Sequence, residues 1–216
     1  MNISREGEMQ KYLAVLSICG IFLLGSRLHA QQFDVAVGGG SLYAEHGTYN
    51  GGALPTESGG GFLGVSTNYL FKRNLGVQGE LNWRVTQGLY ANQIPYRPVF
   101  WAVNAMYYHP INSRIHLEVV AGGGGQNVRF YNGTYNCDIN GNCTNYVTSN
   151  HFMIDGGAGV RLYFYHNFFL RPEARIYYVP NNNNGGTATT HPGFSSTYPI
   201  RYGAFLGYTF GGSKNK

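Results

Sequence analysis

From Leu75 to Val85 the chain alternates without a break: Leu75, Val77, Gly79, Leu81, Trp83 and Val85 share one face of an extended strand, and Gly76, Gln78, Glu80, Asn82 and Arg84 share the other. A period of two is the signature of a strand with two unlike faces. The run is about twice the usual strand length of a soluble domain, and it suits a strand that crosses a bilayer at a tilt of about 45°. The pattern recurs over Gln32–Tyr43, Gly60–Phe71, Pro98–Tyr108, Ile115–Gly125, His151–Tyr165, Phe168–Val179 and Tyr198–Phe210. Connections alternate in length. Residues 45–58, 86–97, 126–150 and 180–197 read as long loops rich in Gly, Asn and Thr, whereas 72–74, 109–114 and 166–167 are tight turns.

This pattern predicts an all-β fold, an eight-stranded antiparallel up-and-down transmembrane β-barrel, with short turns on one side of a membrane and long loops on the other. Closure removes the sheet edges that would leave backbone groups unpaired in lipid. A closed barrel is complete in one chain, so a monomer is expected. Pro172 challenges the register: it lacks a donor inside a strand that needs two paired neighbours, and a bulge there would flip Arg171 relative to Glu173.

Composition decides between this barrel and a soluble sandwich with the same alternation. Only 12% of residues are charged, against about 25% in ordinary soluble domains. A sandwich that buried Leu81 and Trp83 would need a charged exterior that this chain lacks; a lipid-facing exterior does not. Aromatics agree. Tyr69, Phe71, Tyr107, Phe164, Phe168, Tyr208 and Phe210 fall at the turn ends of the strands, and Trp83, Trp101, Phe152, Tyr178 and Tyr202 nearer the loop ends. This is the two-girdle arrangement of interfacial aromatics, although aromatics are also common in strands generally.

Residues 1–30 read as a cleaved export signal: Lys11 precedes an apolar run over residues 12–25, too short to span as a helix, followed by Ser-Arg-Leu-His-Ala with cleavage expected before Gln31. The barrel then occupies 31–210, and 211–216 form a short tail. The formal charge of +5 is spread along the chain without a basic run, so nucleic acid is not an expected partner.

The inward faces collect the candidate chemistry. Glu80, Arg84, His116, Glu118, Asp155, Arg161, Arg171, Glu173, Arg175 and Arg201 point into the lumen, acids and arginines in near balance. The interior of an eight-stranded barrel is just wide enough to be filled by side chains, and buried charges must be paired. The set therefore reads either as a salt-bridged plug or as a narrow gated polar path. Pairing of Arg171 and Arg175 with inward acids is expected of the plug, and an inward arginine without an acid partner would count against it. Inward glycines such as Gly157 and Gly159 leave room for arginines.

His116 with Glu118 is a conceivable acid–base pair, but no nucleophile accompanies it. His151 and Asp155 are poorly spaced for a metal, and the glycine run at 122–125 precedes no helix that would cradle phosphate. No catalytic residue, cofactor or metal is assigned. Cys137 and Cys143 in an exported chain favour a disulfide. It would staple the third long loop locally or shape a ligand-binding knob together with Tyr131, Tyr135 and Tyr146.

The export signal, the eight strands, the segment FFLRPEARIYY at 168–178 and the ending YGAFLGYTF make the chain resemble the small outer-membrane β-barrel family, the OmpA-like transmembrane-barrel type. The resemblance covers residues 31–210. It implies a Gram-negative-type outer membrane, contact with its lipid, and insertion by the barrel assembly machinery. Tyr208 and Phe210 would serve as the terminal assembly signal, although Gly211–Lys216 follow it. The role implied is structural or surface-interacting, through the long loops, with a narrow porin-like channel for small solutes as the alternative. An outer-membrane enzyme is the remotest of the three.

Overall fold

The computed structural model describes residues 32–45, 48–49, 52–53, 56–90, 93–137, 141, 143–180, 194 and 197–211. The export signal expected over 1–30, most of the loop at 181–196 and the tail after Gly211 lie outside the described residues. The strands are β1 (Gln32–Tyr43), β2 (Thr48–Tyr49), β3 (Gly52–Ala53), β4 (Gly61–Leu70), β5 (Leu75–Arg84), β6 (Gly88–Tyr90), β7 (Ile94–Pro110), β8 (Ile115–Cys137), β9 (Cys143–Tyr165), β10 (Phe168–Tyr178) and β11 (Ile200–Phe210).

Eight of them close on themselves in the order β1-β4-β5-β7-β8-β9-β10-β11, every neighbour antiparallel, with β1 paired to β11 and β5 to β7. The small strands β2 and β3 pair with each other, and β6 adds to β7. The closed, antiparallel up-and-down barrel that the alternation predicts is the fold.

The barrel is staggered. Cross-strand partners run from Phe33 through Tyr69, Val77, Ala105, Ala121, Gly156, Ile176 and Ile200, and return to β1 at Tyr43, ten residues beyond the start. That shear over eight strands sets a strand tilt of about 40°.

Alternation puts the apolar side chains outside. On β5, Gly76, Gln78, Glu80, Asn82 and Arg84 are buried while Leu75, Val77 and Leu81 are exposed. Trp101 is 52% exposed and Val103 63%, the inverse of a soluble core. All the girdle aromatics lie on this outer surface. At the turn end Phe33, Phe210, Tyr208 and Phe168 touch in sequence, with ring centroids 6.1, 4.7 and 4.9 Å apart.

Pro172 faces outward and keeps the register. It stands opposite Ala204 on β11, and on the β9 side pairing skips Arg171 and Pro172 but resumes without a shift. The irregularity of β10 falls instead between Phe168 and Phe169, beside the turn. Arg171 and Glu173 are therefore both inward.

The expected loops need correction on one side. Residues 126–150 are not a long loop: β8 and β9 continue as a paired hairpin to the Cys137–Cys143 bond at its tip, with S–S 2.04 Å. Likewise the expected loop at 86–97 contains β6 and the first residues of β7, which pair as a second, shorter extension. Outside a bilayer a hairpin needs no apolar outer face, so its strands read as polar loop. Val128 and Phe130 still alternate inward.

Candidate functional site

The lumen is filled in layers. Nearest the turns, Leu70, Met106, Tyr108 and Val120 form an apolar cluster. Tyr108 is hydrogen-bonded to His116, and Tyr163 to Thr209 at 2.9 Å. His116 is thus engaged with Tyr108, while Glu118 is engaged with arginines, and the conceivable acid–base pair is divided between two clusters.

Above this layer lies the charged network. Arg161 is wholly buried and pairs with Asp34 and, at 2.6 Å, with Glu118. Arg171 reaches Glu118 at 3.2 Å and Glu173 at 2.9 Å, and donates to Ser66 Oγ at 2.9 Å. Arg175 contacts Glu80 at 2.7 Å, Asp155 at 3.0 Å and Glu173 at 3.1 Å. Arg201 contacts Glu80 at 2.6 Å and also Glu173, and donates to the Tyr177 hydroxyl at 2.8 Å.

Amides add further donors to the carboxylates. Gln78 donates to Glu118 at 2.8 Å, and Asn104 to Asp155 at 3.2 Å. The guanidinium faces stack on aromatics: Arg161 lies 4.8 Å from the Phe169 ring centroid and Arg171 5.0 Å from that of Phe205. Gly157 is needed for this packing, since a Cβ there would meet the Arg175 stem at 2.7 Å. Such burial is tolerable only because each charge meets several partners.

Towards the loops, a second apolar layer of Leu42, Phe62, Phe100, Ala102, Met153, Tyr177 and Val179 crosses the barrel. Phe100 and Tyr177 stack at 5.1 Å. The gap between this layer and Glu80 has no room for a water molecule.

Arg84 stands apart beyond it. It belongs to none of these ion pairs; it donates to the Tyr96 hydroxyl at 2.8 Å and lies over that ring. An aromatic cap of Tyr96, Phe130 and Phe194, joined by Tyr90, closes the outer mouth. Burial pushes the Tyr96 phenol up to about 12, against the pull of Arg84 and with the help of Glu57. Burial likewise raises the Tyr90 phenol.

Of the residues read from sequence as lumen charges, the structure thus joins Glu80, Glu118, Asp155, Arg161, Arg171, Glu173, Arg175 and Arg201, and leaves Arg84 outside the group. It adds Asp34, which sits on an inward position of β1 and is completely buried. Its place opposite Phe33 and Val35 in the alternation is the signal that could have found it, but its partner lies 127 residues away. Tyr208 and Phe210 are on the outer surface at the turn end. No cluster of metal-ligating side chains occurs among the described residues.

No protein-family model matches the sequence, and neither does any curated protein. Solved structures do. Neisserial surface protein A (NspA) is 12% identical, with 83% of this chain and 97% of that one covered and a TM-score of 0.56. Ail, the attachment invasion locus protein of Yersinia pestis, in complex with the heparin analogue sucrose octasulfate, is 15% identical over 84% and 99% at a TM-score of 0.52. The outer membrane protein OprG from Pseudomonas aeruginosa is 12% identical over 85% and 98%, also at 0.52. At such identities the likeness is one of architecture: the chain has the fold of the small eight-stranded outer-membrane β-barrels.

Proposed function

We propose that this chain is a monomeric outer-membrane protein whose lumen is a structural plug and whose activity lies at its outer surface. In this reading residues 1–30 direct export and are removed. Tyr208 and Phe210 present the assembly signal to the barrel assembly machinery, and lipid covers the apolar belt.

The observation that carries it is the ion network held between two apolar layers, with the aromatic cap above. A path for ions would have to cross Phe100–Tyr177 and break several buried ion pairs, each costly to separate. Among the described residues, the outer extension of β7, β8 and β9 presents the surface for interaction. Planar-bilayer recording of the refolded chain tests this: no steady conductance is expected, and a persistent open level would overturn it.

A narrow channel is the competing reading, and Arg84 favours it. An inward arginine that joins no ion pair among the described residues is what a gated anion path would use. Substituting Arg84 would then alter conductance or selectivity, whereas a plug leaves nothing to alter. An enzymatic reading has the least support, because His116 and Glu118 are committed to separate partners.

A further inference from the structure

Along the outward face of β7 and β8 the apolar belt stops at Val99 and Gly125, with Trp101 lying across Gly125. One step further out, Asn127 is hydrogen-bonded to Asn150. In the next tier outward Arg97 and Arg129 stand directly opposite each other as cross-strand partners, both exposed. Among the described residues they are the only charged side chains on the outward face of any strand, and neither joins an ion pair.

Like charges placed opposite each other destabilise a sheet. Among the described residues no acidic side chain pairs with either of them. Arg129 is held in place all the same, its guanidinium 5.1 Å from the Tyr146 ring centroid. The position explains what would offset the repulsion. Four residues of tilted strand carry Arg97 about 10 Å beyond Trp101 along the membrane normal, which is the headgroup level if Trp101 marks the interface. Two guanidiniums side by side make a fork suited to a phosphate.

Immediately beyond them on the same side is a hollow of about 470 Å³ lined by Gln87, Gln93, Ile94, Pro95, Tyr131 and Asn145, with Gly133. None of the described residues that line it is charged. Amides both donate and accept, as vicinal hydroxyls require, and Tyr131 offers a flat apolar ring.

The geometry points to a site for a phosphorylated glycolipid of the outer leaflet. Its acyl chains lie on the Val103–Trp101 belt, its phosphate between Arg97 and Arg129, and its neutral sugars in the Tyr131 hollow. The assignment rests on the membrane-barrel reading of the preceding section, because only a bilayer brings acyl chains, phosphate and sugar to these three levels in this order.

The test uses the full chain refolded into nanodiscs, with purified lipopolysaccharide, its enzymatically dephosphorylated form and soluble glucosamine 6-phosphate as probes. Wild-type protein should bind the phosphorylated glycolipid about tenfold more tightly than R97Q/R129Q, and about tenfold more tightly than the dephosphorylated form. K72Q/R73Q, which removes the same charge from a turn at the opposite end, should bind as wild type. Tyr131→Ala should weaken binding of the full glycolipid but not of lipid A stripped of its further sugars.

Equal binding by R97Q/R129Q, equal loss in K72Q/R73Q, or indifference to the phosphates would overturn the site. Full displacement by glucosamine 6-phosphate would reassign it to soluble sugar phosphates and so overturn the lipid assignment. Heat-shifted gel mobility and strand-type circular dichroism, recorded for every variant, separate failure of this site from failure of the barrel. A chain that never inserts would sink both.

Discussion

Arg171 Nη1 stands 3.2 Å from Glu118 Oε1, and among the described residues this is the one ion pair that joins the two halves of the lumen network. On one side lie Asp34, Arg161 and Glu118. On the other Glu173 is shared by Arg171, Arg175 and Arg201, which Glu80 and Asp155 complete. The acids are therefore unequal in what they hold.

Glu173 touches three arginines and Asp155 only Arg175, which keeps Glu80 and Glu173 without it. Replacing Glu173 by Gln leaves three buried guanidiniums short of one acceptor charge, a loss of about 3–5 kcal/mol. Asp155→Asn removes one of several partners and should cost about 1 kcal/mol or less. Urea unfolding in lipid vesicles measures both. Equal costs would mean that the network does not share its charge as the distances imply.

Tyr96 makes the outer cap sensitive to alkali. Its folded phenol is raised from 10.0 to about 12, chiefly by burial. A group raised on folding contributes stability that is complete below the unfolded value and lost as pH rises through the folded one. The cap should therefore loosen between about pH 10 and pH 12. Absorbance of tyrosinate should show a late-titrating phenol that Tyr96→Phe removes. A difference spectrum in which that phenol ionises with the exposed tyrosines would contradict the burial of the cap.

Most of the barrel was legible because lipid imposes a rule that alternation records directly. Each spanning strand must be apolar on one side, and so Glu80, Arg171 and Glu173 could be assigned to the lumen by parity alone. The partners could not. Asp34 meets Arg161 only because a stagger of ten residues carries β1 past β9 in depth, and shear is not written in any single strand. The outer hairpin was hidden for the opposite reason. On the outward face of that hairpin, Asn127 and Arg129 take the place of the apolar belt residues, and a strand with a polar outer face and turn-rich composition resembles a loop.

Because that hairpin stands clear of the barrel, its disulfide should matter locally. Cys137 and Cys143 close a sequence separation of only six, so reduction costs the hairpin about 2 kcal/mol at most. The double Ser variant should keep the heat-shifted mobility of the barrel while amide exchange rises over residues 127–150. Loss of barrel folding in that variant would show that the hairpin tip contributes to the fold rather than ornamenting it.

The two tryptophans report on the inside-out arrangement itself. Trp101 faces outward and lies across from Leu81, and Trp83 across from Val99, both beside residues of the apolar belt. In a bilayer these indoles occupy the outer interface. Lipids brominated near the glycerol end of their acyl chains should quench both strongly, lipids brominated at the chain terminus weakly, and aqueous acrylamide least of all. A soluble sandwich would give the reverse ranking, because lipid bromines would never reach a buried indole. Single Trp→Phe variants separate the two signals. Strong acrylamide quenching of Trp101 with no response to brominated lipid would place this face in water, and the assignment of the lumen charges would fall with it.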